Sequence, residues 1–174
     1  MAVDEQVDVR VLQRGATDVG DRDGPRVGAT ALLEGEVDKA NAYLGWNYSL
    51  SGKVVEGAKR GRILGFRTAN LQLSNPDKLI PATGVYAVHC SLNGEKLSGV
   101  MNIGYRPTFE DDKLLVIEVH LLNFDRDIYG ENLSVDFITR IRAEKKFAAK
   151  DELINQIEED KLKAAKLLKI EITN

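Results

Sequence analysis

VIEVHLL (116–122) sets Ile117, Val119 and Leu121 against Val116, Glu118 and His120. That is the two-residue period of a strand with one face in a core. Five further segments read as strands: SGKVVEG (51–57), RTANLQL (67–73), GVYAVHCSL (84–92), GVMNIG (99–104) and NLSVDFITRI (132–141). Glycine, proline and charged turns such as NPDKLIPATG (75–84) and LNGEKLSG (92–99) separate them. Short strands at this spacing predict a mainly β fold, a small closed antiparallel barrel of six strands, because closure removes exposed edges.

Helical periodicity flanks this β region. In ATALLEGEVDKANAYLG (29–45), Leu32, Leu33, Val37, Ala40 and Leu44 recur at near-helical spacing, and Gly45 is a natural C-terminal stop. Gly35 interrupts the middle, so two short helices fit as well as one. Asp151 to Lys169 is the clearest helix, with Leu153, Ile157, Ala164 and Leu168 on one face and Glu158, Glu159, Lys163 and Lys166 kept in water. Its expected role is to cap the barrel. Residues 1–28 are rich in Gly, Asp and Arg, with turn signals clustered in GATDVGDRDGPRVG (15–28). Apart from a possible short strand at Val7, Val9 and Val11, they read as flexible. The chain therefore divides into an extension, 1–47, flexible then helical, and a folded domain, 48–174.

Composition excludes more than it selects. The 174 residues carry a formal charge of −3, which gives no bulk attraction for nucleic acid or a membrane surface. No apolar run approaches the ~18 residues of a membrane span, and MAVDEQVDVRVLQRG (1–15) lacks the layout of a secretory signal. A cytoplasmic monomer is expected. Cys90, the single cysteine, sits in a strand-like run and reads as a small buried hydrophobe. With His89 and His120 as the only histidines, no zinc-site spacing is present.

The chemistry concentrates in GRILGFRTANLQL (61–73). Thr68 and Asn70 are two apart in an extended segment and so share a face, with Ala69 turned away. Gly57, Lys59, Arg60, Gly61, Arg62 and Gly65 precede them. Glycines let backbone N–H groups approach phosphate oxygens, and the cations offset phosphate charge. Between Lys53 and Arg67 lie five basic residues and one acid, Glu56, an anion-attracting patch of nucleotide size. A hydroxyl and an amide oxygen beside such a loop are hard, neutral ligands suited to phosphate-bound Mg²⁺. Neither a Walker GxxxxGK[ST] nor a strand-linked GxGxxG occurs, and a basic hairpin loop before an ordinary strand has the same local composition. Glu118 lies on the less apolar face of its strand, where a carboxylate either makes a salt bridge or accepts a proton.

From about Tyr48 to Leu168 the chain resembles the riboflavin kinase module, the FMN-forming domain of bacterial bifunctional riboflavin kinase/FAD synthetases. The matching pieces run in order: YSLSGKVVEG (48–57), GRILGFRTANL (61–71), PATGVYAV (81–88), GVMNIGYRPTF (99–109), IEVHLLNFDRDIYG (117–130), IRAEKKF (141–147) and DELINQIEEDKLKA (151–164). The resemblance implies a Greek-key barrel that transfers the ATP γ-phosphoryl group to the 5′-hydroxyl of riboflavin, yielding FMN and ADP. It implies Glu118 as general base and Thr68 and Asn70 as Mg²⁺ ligands. ATP would be bound by Gly57, Lys59, Arg62, Gly65, Thr68, Asn70, Asn123 and Tyr129, the last two on the adenine side. Arg142 and Phe147 would close over the flavin. For Arg142 a salt bridge to Glu144 or another nearby carboxylate is the competing reading, and for Phe147 simple packing between barrel and helix.

Two departures stand out. The family pattern G-F-P-T-A-N has Arg67 in place of its proline here, a looser backbone with an added cation. Altered nucleotide affinity is expected, with the chemistry kept. The segment before the kinase fits the family's linking helix at Leu32, Gly35, Val37 and Ala40, with Glu36 for its aspartate. The adenylyltransferase motif S-S-T-x-I-R, however, falls on Gly24, Pro25, Arg26, Val27, Gly28 and Ala29 and keeps none of its residues. The HxGH-type motif is absent as well, so FAD synthesis is not expected. The competing function is a non-catalytic flavin- or nucleotide-binding regulatory module on the same barrel.

Overall fold

The computed structural model describes residues 24–57, 66–107 and 113–173. Two helices, α1 (Gly24–Glu34) and α2 (Val37–Leu44), precede six strands: β1 (Ser49–Val55), β2 (Ala69–Leu73), β3 (Gly84–Leu92), β4 (Glu95–Pro107), β5 (Lys113–Leu121) and β6 (Asn132–Arg142). A third helix, α3 (Lys150–Leu168), follows. The strands form a closed barrel in the order β1-β2-β5-β4-β3-β6, every pair antiparallel. Strands β3, β4 and β5 form a meander, β2 returns beside β5 and β6 beside β3, which makes two overlapping Greek keys.

Alternation sorts each strand into an inside and an outside. In β5, Ile117, Val119 and Leu121 are buried while Val116, Glu118 and His120 are half-buried on the outer face. The barrel is filled by Leu50, Val54, Leu71, Val88, Met101, Ile103, Leu133 and Val135, with Tyr48, Tyr86 and Phe137 as its largest side chains. The Phe137 ring meets Tyr86 edge-on at 5.2 Å between centroids and Tyr48 at a tilt at 6.3 Å. Each tyrosine hydroxyl donates to a carbonyl, Tyr48 to Leu79 and Tyr86 to Ala82, so neither hydroxyl is stranded by this packing. Cys90 is buried as expected, and burial pushes its thiol up to about 12.

The β3–β4 connection is tighter than its composition suggests. Only Asn93 and Gly94 turn, at φ +50 and +86, the backbone of a two-residue type I′ hairpin, and β4 begins at Glu95. EKLS is therefore strand, because an Asn-Gly pair alone suffices to reverse the chain.

Before the barrel, Gly35 divides the helical segment in two, and Gly45 caps α2 in the left-handed region, its N–H bonded to the Asn41 carbonyl. Residues 24–28, expected to be flexible, instead open α1. A proline is tolerated in a helix's first turn, where its missing N–H has no partner to lose. Both helices share the barrel core through Ala31, Leu32, Val37, Ala40 and Leu44. The Asn41 amide bridges strand ends, donating to the Phe137 carbonyl at 2.8 Å and accepting from the Tyr48 N–H at 2.7 Å. The expectations for residues 1–23, including the strand at Val7 to Val11, lie outside the described residues.

Helix α3 packs over β3, β4 and β6. Ala164 and Leu168 bury against Ala87 and Leu122 on the barrel's outer surface. Leu153 and Ile157 remain half-buried beside a cleft that the helix leaves open.

Candidate functional site

Strand register builds the site. Asn70 of β2 lies directly opposite Glu118 of β5, and Glu118 lies opposite Asn102 of β4. Side chains opposite one another in a sheet share a face. Three polar residues from three strands thus meet on the outer wall, while Ala69, Val119 and Met101, one residue along, enter the core.

Two clefts open from this point. The first, about 790 Å³ with the solvent at its mouth included, is lined by Val54, Gly57, Arg67, Thr68, Asn70 and, from the 122–129 loop, by Phe124, Arg126 and Tyr129 among others. The second, about 1290 Å³ and open to solvent, lies between barrel and α3; Phe66, Asn102, Arg106, Glu118, His120 and Phe147 are among its walls. Thr68 lines both. A group passed from an occupant of one to an occupant of the other would travel beside its hydroxyl.

Local contacts hold these residues in place. Gly57 lies against the Asn70 amide so closely that any side chain at 57 would collide with it. The glycine makes room for Asn70, besides whatever its backbone offers a ligand. The His120 Nδ1–H donates to the Arg67 carbonyl at 2.7 Å, which ties the backbone ahead of Thr68 to β5. Burial lowers the His120 pKa, partly opposed by that bond, so the ring favours its neutral form. Phe66 packs edge-on against His120 at 6.0 Å, under the Lys161 ammonium at 5.1 Å.

Glu118 is not solitary. Arg106, at the far end of β4, reaches across to bond its Oε1 at 2.8 Å, each side chain about one quarter exposed (24% and 25%). Glu144 brings a carboxylate against Gly104 on the same wall. Arg142 pairs with Asp160 of α3, its Nε 2.9 Å and its Nη2 2.8 Å from Oδ2. The salt bridge weighed for Arg142 exists, but with the buried Asp160 in place of Glu144. Phe147 lines the second cleft with the Arg142 guanidinium 5.7 Å from its ring centre.

The expected site residues do not all converge. Gly57, Thr68, Asn70 and Tyr129 share the first cleft; Glu118, Arg142 and Phe147 share the second with Thr68. Asn123 lines neither. Its amide donates to the Glu171 carbonyl at 2.7 Å and accepts from the Thr173 N–H at 2.9 Å, pinning the C-terminal tail. Lys59, Arg62 and Gly65 lie outside the described residues. Sequence reasoning passed over Arg106, Asn102 and Asp160. Asp160 had left a signal, an acid on the same helical stripe as Leu153, Ile157, Ala164 and Leu168.

As to the metal, no group of three or more His, Cys, Asp and Glu capable of holding an ion is found among the described residues. A phosphate-bound Mg²⁺ needs no such cluster, since it keeps several waters and takes ligands from the substrate phosphates, with a side-chain hydroxyl among its protein ligands in some nucleotide sites. Thr68 and Asn70, neutral oxygen donors at the junction, fit that role.

The riboflavin kinase (flavokinase) family model matches residues 44–168. The chain is 47% identical over 137 residues to the bifunctional riboflavin kinase/FMN adenylyltransferase of Bacillus subtilis, a match covering 78% of this chain and 43% of that protein. Against the enzyme of the same description from Escherichia coli K12, identity is 42% over 146 residues, 81% of this chain and 46% of that one. The chain spans less than half the length of these relatives. The crystal structure of a macrolide-efflux protein from Streptococcus pneumoniae superposes with a TM-score of 0.72 at 36% identity, over 78% of this chain and 44% of that one.

Proposed function

This chain belongs to the riboflavin kinase family, and we propose that it transfers the γ-phosphoryl group of ATP to the riboflavin 5′-hydroxyl, releasing FMN and ADP. The observation that carries the reading is the junction: Asn70 faces Glu118 across β2 and β5, and Thr68 lines both clefts. ATP occupies the first cleft, with Tyr129 on the adenine side and Gly57 near the phosphates; the family resemblance adds Lys59, Arg62 and Gly65, outside the described residues, as further ATP-binding residues. Riboflavin occupies the second, its ring system against Phe147 and its ribityl chain directed toward Glu118, with the paired Arg142 shaping that wall. Asn123 acts on the nucleotide wall indirectly, by fixing the loop it begins.

Phosphoryl transfer asks for alignment and charge neutralisation. Thr68 and Asn70 would hold Mg²⁺, which when bound offsets phosphate charge. Glu118 accepts the hydroxyl proton as the bond to phosphorus forms, assistance typically worth ~10²–10⁴-fold. Arg106 holds that carboxylate in place on the wall.

A second reading, a flavin- or nucleotide-binding module without catalysis, draws on the same ion pair, because a Glu118 committed to Arg106 would be structural. Export is not favoured. The barrel interior is packed with apolar side chains, whereas a membrane barrel turns its apolar side outward.

The test is chromatography of a reaction containing riboflavin, ATP and Mg²⁺. FMN without FAD is expected from this chain. Riboflavin binding without any FMN would establish the second reading, and appreciable FAD would refute the proposed limit to kinase chemistry.

A further inference from the structure

Arg67 borders the first cleft immediately before Thr68, and its guanidinium reaches the 122–129 loop, Nη1 lying 2.6 Å from Asp125 Oδ1 and 3.3 Å from the Asp125 carbonyl. The two side chains are 56% and 83% exposed. An ion pair this wet adds little to stability, so exchanging its carboxylate for another anion costs little.

The pair is not needed to hold either wall. On one side His120 fixes the Arg67 backbone through its carbonyl. On the other, Asn123 grips the tail, Arg126 pairs with Glu95 and lies 4.8 Å over the Phe124 ring, and the Asp127 carboxylate accepts the Tyr129 N–H at 3.0 Å. What remains free to move is the Arg67 side chain itself.

We infer that Arg67 is an exchangeable clasp, paired with Asp125 across the cleft and transferred to the polyphosphate when a nucleotide enters. The inference rests on the proposed nucleotide reading of this cleft. A guanidinium serves a phosphate as readily as a carboxylate, with the same forked donors. A triphosphate with several negative charges outcompetes the single charge of Asp125. Asp125 is then a rival of the ligand, and Arg67 sets the preference for nucleotides with longer phosphate chains.

The rivalry has a sign that a brace does not share. Binding of the Mg²⁺ complex of the β,γ-imido analogue of ATP is measured by calorimetry on the parent, Arg67→Gln, Asp125→Asn and the double variant, with adenosine as a phosphate-free control. Arg67→Gln should weaken the analogue about tenfold, the scale of one charge-assisted contact. Asp125→Asn should tighten it by about twofold to fivefold, and the double variant should match Arg67→Gln, since the rival matters only while the arginine is present. Adenosine binding should not change. Weakening by Asp125→Asn overturns the inference and makes the pair a brace, and an unaltered Arg67→Gln overturns it too. A parent that binds no analogue and makes no FMN removes the nucleotide reading and the clasp together. A parent active in FMN synthesis whose variants lack the expected signs removes the clasp alone.

Discussion

The two clefts that meet at Thr68 hold their charges in opposite ways. Between barrel and α3, Arg142 and Asp160 are 20% and 3% exposed and joined by several bonds, with Gln156 donating to the same carboxylate. Along the other cleft, Arg67 with Asp125 and Arg126 with Glu95 all lie more than two-fifths exposed (56%, 83%, 62% and 48%). A buried pair is expensive to break because one partner is left charged and dry, whereas an exposed pair returns to water. In the first case the charges belong to the fold. In the second they are available to a ligand, as would suit the proposed exchange of ATP for ADP.

The largest expected effect tests the fixed side. Asp160→Ala leaves the mostly buried Arg142 without its carboxylate and should cost about 3 kcal/mol of stability in urea unfolding. Asp125→Ala, its counterpart on the exposed side, should cost less than about 1 kcal/mol. Equal losses would break the comparison.

Glu118→Gln comes next and probes the junction. The amide keeps the shape and one acceptor for Arg106 but takes up no proton, so kcat should fall by ~10²-fold or more, equivalent to about 2.7 kcal/mol, with the melting temperature near the parent's. An active but less stable variant would make Glu118 a structural partner of Arg106. Thr68→Ala and Asn70→Ala should each raise the Mg²⁺ needed for half-maximal turnover by roughly tenfold, leaving riboflavin binding without nucleotide unchanged. Normal turnover at limiting Mg²⁺ in both variants would contradict the ligand assignment.

The smallest effect concerns His120. Its folded pKa lies below the ordinary histidine value, so the unfolded chain binds the proton more readily. The stability from the neutral ring is complete above about pH 6.5 and is lost as pH falls toward the folded pKa. Urea midpoints at pH 7.5 and 5.5 should therefore differ less in His120→Gln than in the parent. An unchanged difference would assign the acid sensitivity to other groups.

The barrel was legible because alternation survives along much of its strands, as in Ile117, Val119 and Leu121 against Glu118 and His120, although GVYAV (84–88) is buried throughout. The helix pair was legible from Leu32, Val37 and Leu44 and from the break at Gly35. What escaped depended on contacts between distant segments. Arg106 reads as one more charge near a strand end until β4 and β5 pair and bring it to Glu118. Asn123 lies in a stretch that resembles a nucleotide wall, and nothing in that stretch shows that the tail claims both ends of its amide. Asp160 is different, because its place on an apolar helical stripe already demanded a buried partner. Arg142 had been given a carboxylate as one of two readings, and the two observations joined would have named the pair.

Barrel closure also imposes an order of assembly. The seam joins β1 to β6, from Ser49 opposite Asp136 to Lys53 opposite Asn132, and α2 hangs its Asn41 on the Phe137 carbonyl. The first strand lacks its second neighbour, and α2 its anchor on the barrel, until residues near 137 leave the ribosome. So much pairing across long sequence separations places the fold among the slower small domains, in the millisecond-to-second range. Translation halted before β6 should yield a chain with unpaired strand edges, open to protease and prone to aggregate, although most of the proposed site residues would already have been made.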